Sequence, residues 1–376
     1  MLVVTANSSA GVPATGGDRS WEGPLKFGTF IFPTLPNAAD DAQGIQEALH
    51  EARLSEQLGM DALWLAEHHF DGNCVYVDPI TFAAGLAMAT TRVQIGFAVI
   101  QASLYHPLRL AEQLTLLDHL SGGRVIAGLG KGSTFNTYEY EAYEIDPAEA
   151  SARLAEIEDI LLKCWTQEGV EHHGKFWNFK IPMLRPRPFT QPHPPLLRAA
   201  SSDESTIAQA RAGRPFLMAG PNAVIRKRVE LIRKTMHEAG YSEAKIADTL
   251  KQSWAWKNVV LAETDAEAID IGADAFQRYL DYREKLGLGT TFMEQYRPTG
   301  GSRVPRGYLF GSPATVLEEL AEVPTLGIGG LLLRFRIGPM PVEEGLNSLR
   351  LFVDKIAPHL RAKTAQAKPI AAHAPA

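Results

Sequence analysis

The sequence predicts a single α/β domain, a (β/α)8 TIM barrel with two excursions inserted in its loops, and three observations predict it. Eight apolar runs of strand length alternate with segments of helical periodicity, the alternation that builds parallel sheets. Most of these runs are apolar at both parities, as strands buried on both faces are. Titratable residues collect just after the runs, and α/β proteins hold their chemistry at strand carboxyl ends.

Residues 26–32, Lys-Phe-Gly-Thr-Phe-Ile-Phe, form the first strand, which Pro33 and Pro36 end. Apolar positions at helical spacing over 41–58 predict a helix, and Gly59 supplies its C-cap. The second strand is 62–66. Pro79 opens a helix to 89, at a position where its missing N–H costs nothing. A third strand at 92–100 precedes a helix at 107–120, which Ser121-Gly122-Gly123 stops. The fourth strand is 124–129, and an alanine- and glutamate-rich helix spans 147–165.

The rhythm then breaks. Pro182, Pro186, Pro188, Pro192, Pro194 and Pro195 fall within 169–195, and a central strand cannot hold them. This stretch is expected to be a long surface connection with a small hairpin at 171–180. The fifth strand is 196–200, with a helix from Ser201 to 211; the sixth is 214–219, with a helix at 222–239. The seventh is 254–261, and Asp265 caps a helix to 286. A second irregular excursion, 287–311, is rich in Gly, Arg and Tyr. A helix at 313–322, an eighth strand at 329–336 and a helix at 343–360 complete the series. From 26 to 360 the chain exceeds the usual ~250 residues of such a barrel, and the excursions absorb the surplus. The expected organisation is a mobile arm at 1–24, one barrel domain at 25–361 and a flexible tail at 362–376.

The chain of 376 residues is 45% hydrophobic and 21% charged, an ordinary globular composition, with a formal charge of -6. That mild acidity argues against a nucleic-acid or anionic-membrane surface. No apolar stretch reaches the ~20 residues of a membrane span. Cys74 and Cys164 form no CxxC motif and no disulfide framework, which fits a reducing cytoplasm.

The second strand runs into Glu67-His68-His69. Along a strand, Trp64, Ala66 and His68 share one face, and Leu65, Glu67 and His69 the other. The three polar residues therefore cannot converge unless the strand has already ended. A lone histidine here is ordinarily a hydrogen-bonded packing residue, but crowding three titratable groups costs free energy unless they are used. Adjacent histidines lack the i,i+4 spacing of a helical zinc pair, so no metal is expected. Gln101, Tyr105, His106 and Arg109 follow the third strand, and Gly130-Lys131-Gly132-Ser133 the fourth. Ser201, Ser202 and Ser205 open the helix after the fifth, where free N–H groups and the helix dipole favour an anion. Serine at that position is also the ordinary N-cap. The stretch 128–133 is not a dinucleotide fingerprint, since serine replaces the third glycine and no helix follows at once. Arg153 alone reads as a surface charge; with Lys131 and the serines it could neutralise a phosphate dianion.

The stretches Leu65-Ala-Glu67-His68-His69-Phe70, His106-Pro-Leu-Arg109-Leu-Ala-Glu112-Gln-Leu-Thr-Leu-Leu-Asp118-His-Leu-Ser-Gly-Gly-Arg124 and Gly128-Leu-Gly-Lys-Gly132 resemble the bacterial luciferase-like flavin-dependent monooxygenase family. The resemblance runs from about 26 to 360, and its most specific part is 106–132. It implies an FMN-using barrel enzyme that takes reduced FMN as co-substrate, adds O2 to form a flavin peroxide and oxygenates a small organic substrate. It implies His68 as the active-site histidine, Lys131 and Arg153 as holders of the FMN phosphate, and Ser201, Ser202 and Ser205 as the phosphate-contacting loop and helix start. Gly130 stands where light-emitting members carry cysteine, and Ser201 where they carry glutamate; both departures speak against luminescence. A separate flavin reductase is expected, because the chain shows no nicotinamide fingerprint, and so is a homodimer. A deazaflavin-dependent oxidoreductase of the same superfamily is the nearest alternative, although that branch more often shows Ser-Asp-His after the second strand. A non-catalytic flavin-binding barrel is the other. Trp64, Phe97, Trp254 and Trp256 are candidates to pack the flavin, or are simply core.

Overall fold

The computed structural model describes residues 23–133, 136–200, 202–288 and 291–366. Strands and helices alternate from the start: β1 (Lys26–Ile31), α1 (Asp41–Gln57), β2 (Ala62–Leu65), α2 (Pro79–Ala89), β3 (Gln94–Phe97) with its short continuation β4 (Ile100–Gln101), α3 (Pro107–Ser121) and β5 (Val125–Gly130). Then come α4 (Thr137–Ala142), α5 (Ala150–Thr166), the hairpin β6 (Val170–His173) and β7 (Asn178–Ile181), β8 (Leu196–Ala199), α6 (Asp203–Arg211), β9 (Phe216–Ala219), α7 (Asn222–Glu238) and α8 (Glu243–Lys251). The chain finishes with β10 (Trp254–Leu261), α9 (Asp265–Lys285), β11 (Tyr308–Gly311), α10 (Pro313–Leu320), β12 (Gly330–Arg334), α11 (Val342–Leu351), a π-helical turn at Phe352–Ile356 and α12 (Ala357–Gln366).

The sheet closes in the order β1-β2-β3-β5-β8-β9-β10-β12 and back to β1, every pairing parallel. This is the expected (β/α)8 barrel. The register sets what points inward. Gly28 on β1 pairs with Ala62, and Trp64 on β2 with Gly96 of β3. A Cβ at Gly28 would stand 2.5 Å from the Trp64 ring, and one at Gly96 2.6 Å from it, so both glycines make room for that indole. Trp64 meets Trp254 edge-on at 5.0 Å, and the two fill the barrel floor. Parity then carries Phe30 and Phe32 up β1, Trp256 and Asn258 up β10, and Leu332 and Arg334 up β12 toward the carboxyl-terminal mouth.

Four features differ from the sequence expectation. The predicted strand at 92–100 is split into β3 and β4. The unassigned stretch 134–146 contains α4, and that between 240 and 253 contains α8. The excursion 287–311, read as irregular, contributes a 3-10 turn at Thr291–Tyr296 and the strand β11. β10 is long enough for two neighbours on one side: its Trp254–Trp256 half pairs with β9, and Asn258 to Leu261 with β11. The helix expected at 343–360 is interrupted by the π-helical turn and runs on to Gln366. The arm at 1–22 and residues 367–376 lie outside the described residues.

α1 turns Glu51 toward β12, where it is 2% exposed and its Oε2 has no hydrogen-bond partner among the described residues. Burial pushes its carboxyl up from 4.5 to about 7, against the pull of Arg336 and Arg334. A carboxyl raised on folding contributes stability that is complete below its unfolded value and lost as pH rises through its folded value. Glu51→Gln carries no charge at any pH. Its stability should therefore gain on the parent by about 2–3 kcal/mol as pH rises from 4.5 to 7, read as urea midpoints. A difference that does not change with pH would remove Glu51 as a buried titrating group.

Candidate active site

β2 ends at Leu65, before the three polar residues begin, and their side chains diverge. Glu67 and His69 turn to one side and pair, Oε1 to Nε2, at 2.9 Å. Tyr105 Oη donates to the same carboxylate oxygen at 3.0 Å, and the Gln101 backbone N–H to the other at 2.8 Å. Burial works against a charged His69, but the bond and charge of Glu67, with Glu139, raise its pKa above the usual imidazole value. This is a closed pair: both of its side chains are buried, and Tyr143 Oη covers His69 Nδ1 at 3.3 Å.

His68 points the other way, to a second carboxylate. Its Nδ1 lies 3.0 Å from Glu139 Oε1, and Asn136 Nδ2 stands 3.2 Å from the same nitrogen. Glu139 is fully buried and also accepts from the His69 backbone N–H at 3.1 Å and from Gln101 Nε2 at 2.7 Å. Burial pulls the Glu139 carboxyl up, yet the bond and charge of His68 and the bonds from Gln101 and His69 hold it below the usual carboxylate range. An ionised carboxylate only accepts, so the proton of a neutral His68 belongs on Nδ1 and its lone pair on Nε2. Nε2 has no hydrogen-bond partner among the described residues, and the His68 side chain is 22% exposed. Its ring packs edge-on against Phe32 at 5.6 Å, above the Phe30–Trp256 contact at 4.6 Å.

Glu139 and Asn136 are the candidate-site residues that sequence reasoning passed over. α4 delivers Glu139 and Tyr140. The available signal was the run Asn136-Thr-Tyr138-Glu-Tyr140-Glu-Ala-Tyr143, dense in acids and phenols just beyond a strand end. Gly132 lets α4 close on the site: its φ is +93°, and any Cβ there would strike Tyr140 Oη and Gln101 Oε1.

Lys131 and Arg153 come together around Ser103. Ser103 Oγ donates to the Lys131 carbonyl, and Arg153 Nε donates to the Ser103 carbonyl at 3.1 Å. The Lys131 side chain is exposed and unpaired among the described residues. The Arg153 guanidinium stacks over Phe176 at 5.1 Å and Trp177 at 4.9 Å, so the turn of the β6–β7 hairpin holds the arginine. Ser202 and Ser205 form a capping box on α6, with Ser202 Oγ accepting from the Ser205 N–H at 3.2 Å. That helix follows β8, the strand next to β5, so serines and cations leave adjacent strands on one face. No described contact joins the serines to Lys131 or Arg153, and Ser201 lies outside the described residues. His106 is the N-cap of α3, its ring nitrogen accepting from the Leu108 N–H at 3.3 Å. Trp64, Trp254 and Phe97 are core residues; Trp256 alone of the four aromatic candidates is half-buried near the mouth.

A family model described as luciferase-like monooxygenase matches residues 25–329. The chain belongs to the luciferase-like monooxygenase family. The y4wF protein of Sinorhizobium fredii is 31% identical over 343 residues, 86% of this chain and 94% of its own. The oxygenase component of the flavin-dependent trigonelline monooxygenase of Acinetobacter baylyi is 29% identical over 182 residues, 48% of this chain and 50% of its own. Among solved structures, the monooxygenase RslO1 from Streptomyces bottropensis superposes with a TM-score of 0.76 at 28% identity, over 89% of this chain and 99% of its own. The protein is thus a luciferase-like flavin-dependent monooxygenase, an oxidoreductase on a (β/α)8 barrel. Among its described residues no helix is long and apolar enough to cross a membrane. In this luciferase-like monooxygenase the second excursion lines a cleft of about 710 Å³ through Val304, Gly307 and Tyr308. Lys257 also lines that cleft, its ammonium donating to the Gly220 carbonyl at 2.8 Å and Asn222 Oδ1 at 2.7 Å.

Proposed function

We propose that this luciferase-like monooxygenase uses reduced FMN and O2 to oxygenate a small organic substrate at the barrel mouth, with His68 as its proton-transfer residue. The observation that carries the proposal is the His68–Glu139 pair: a buried carboxylate fixes one imidazole nitrogen at 3.0 Å and leaves the other open. The donor set fits FMN. Lys131 is exposed, and its main chain is tied through Ser103 to Arg153, whose guanidinium lies 3.7 Å from Glu149; the N-terminus of α6, with Ser202 and Ser205, leaves the next strand on the same face. Two cations and free helix N–H groups suit a phosphate dianion. When bound, reduced flavin supplies the electrons that activate O2.

The protein's own part is to hold, shield and move protons. Phe30, Phe32 and Trp256 line the mouth and keep water from it. Nε2 of His68 accepts a proton from, or returns one to, the group reacting beside it, while Glu139 supports the charge that forms on the ring. A separate reductase supplies the reduced flavin, as the words "oxygenase component" in the name of the Acinetobacter relative suggest. The setting proposed is the cytoplasm, with the two buried cysteines kept as thiols.

The phosphate site is tested by titrating FMN, and separately the deazaflavin coenzyme, against the parent, Lys131→Ala and Arg153→Ala. Each loss should weaken FMN binding at least about tenfold, since one charge-assisted hydrogen bond contributes roughly 1.5–3 kcal/mol. Parent-like FMN affinity in both variants would remove the site. Tighter binding of the deazaflavin than of FMN would transfer the cofactor assignment to it.

A further inference from the structure

The barrel mouth holds a cation with no ion-pair partner among the described residues. Arg334, the last residue of β12, is 7% exposed and points inward by the parity of Gly330 and Leu332. Among the described residues only its Nε makes a hydrogen bond, donating to the Arg336 carbonyl at 2.9 Å. No described carboxylate lies within ion-pair distance, and Nη2 is buried without a partner. Its neighbour Arg336 differs, pairing with Glu47 at 2.8 Å. Glu51 acts on Arg334 from beyond ion-pair range, and burial leaves that carboxyl half-protonated near pH 7. A buried, unpaired guanidinium is costly to fold, and such outliers persist where they serve a ligand.

The surroundings say what kind of ligand. Trp256 Nε1 is a second buried N–H donor without a partner, on the strand adjacent to β12. Two unsatisfied N–H groups on paired strands, both at inward-facing parity, call for an acceptor, and a guanidinium fork matches a planar oxyanion. The Arg334 guanidinium lies 4.8 Å from the centre of the Phe32 ring, whose edge-on neighbour at 5.6 Å is His68. A compact ligand held at Arg334 therefore lies across Phe32 with its far end at the imidazole.

We infer that Arg334 is the anion receptor of the site, binding a carboxylate-type planar oxyanion through its Nη groups, and that it sets the distance from that anion to His68. The shared chemistry has two sources: a carboxylate on the substrate, or the anionic pyrimidine edge of the reduced flavin ring. The inference rests on the barrel mouth being the reaction site.

The test uses the full chain with Arg334→Met and Arg334→Lys, and benzoate and benzamide as probes. Because Met removes an unpaired buried charge, that variant should melt no lower than the parent. With a substrate carboxylate as the anion, the parent binds benzoate at least tenfold better than benzamide, Arg334→Met loses that preference, and Arg334→Lys keeps part of it. With reduced flavin as the anion, probe binding is unchanged. The midpoint potential of bound FMN then falls in Arg334→Met by about 30 mV or more, which is a tenfold change for a two-electron couple. Either result supports the receptor and names its ligand. The inference is overturned if neither quantity moves, or if both variants melt lower and lose benzoate and benzamide alike, which is what a structural arginine would do. Turnover of His68→Asn at the parent rate would instead fail the reaction-site reading while leaving these binding results standing.

Discussion

Replacing His68 with Asn should lower product formation at least about a hundredfold while leaving folding and FMN affinity near those of the parent. Asn is polar and uncharged, and its amide can still donate to Glu139, so the hydrogen bond that seats this residue survives in part. What the amide cannot do is take up or release a proton near pH 7. A positioned acid or base typically contributes 10²- to 10⁴-fold in rate, and the lower end of that range sets the expectation. Electrons delivered to the flavin then leave as hydrogen peroxide rather than in product. The decisive comparison is the ratio of product to peroxide at saturating reduced FMN, with FMN affinity measured on the same preparations. His69→Asn makes the contrast: His69 is sealed between Glu67 and Tyr143, so its loss should appear mainly as lower stability. Parent-like coupling in His68→Asn would end the proposed role, and a deficit confined to His69→Asn would move it one residue along the chain.

The barrel was legible because its signals are local and repeated. Apolar runs at both parities, Pro79 and Pro107 at helix starts, and Gly59 and Gly122 at helix ends each specify an element without reference to the rest of the chain. Beyond the end of β2 the side chains still alternate: Glu67 and His69 pair on one side, and His68 departs on the other. The partner of His68 was not legible. Glu139 lies 71 residues away, on a helix of 6 residues flanked by irregular chain, too short for a periodic pattern. A strand hidden in 287–311 escaped for a similar reason, since β11 is a 4-residue edge whose existence depends on the upper half of β10 being free to pair. Gln101 and Tyr105 were visible as polar residues after a strand, but their joint attachment to Glu67, and that of Gln101 to Glu139, is a three-dimensional fact. The serines show the limit of spacing arguments: Ser202 and Ser205 do form a helix start, and their hydroxyls are engaged in capping it.

Removing Glu139 should produce the largest loss of stability at this site, and the loss should depend on pH. Glu139→Ala strips the acceptor from three groups at once: His68 Nδ1, the His69 backbone N–H and Gln101 Nε2. Breaking a buried charge-assisted network from one side typically costs about 3–5 kcal/mol, because the remaining partners stay desolvated and unpaired. The sign of the pH dependence follows from the lowered pKa. A carboxyl whose folded value lies below its unfolded value of 4.5 contributes stability that is present above that value and lost as pH falls through the folded one. The parent and Glu139→Ala should therefore differ most near pH 7 and converge in acid, in urea melts run across that range. Glu139→Gln separates support from catalysis. Its amide keeps the shape and one acceptor, so it should lose less stability than Ala. Without the carboxylate, however, nothing offsets the charge that the His68 ring acquires. Turnover per folded molecule should fall at least about tenfold, with FMN affinity unchanged. A Glu139→Gln protein matching the parent in both stability and turnover would mean that this carboxylate gives His68 no support.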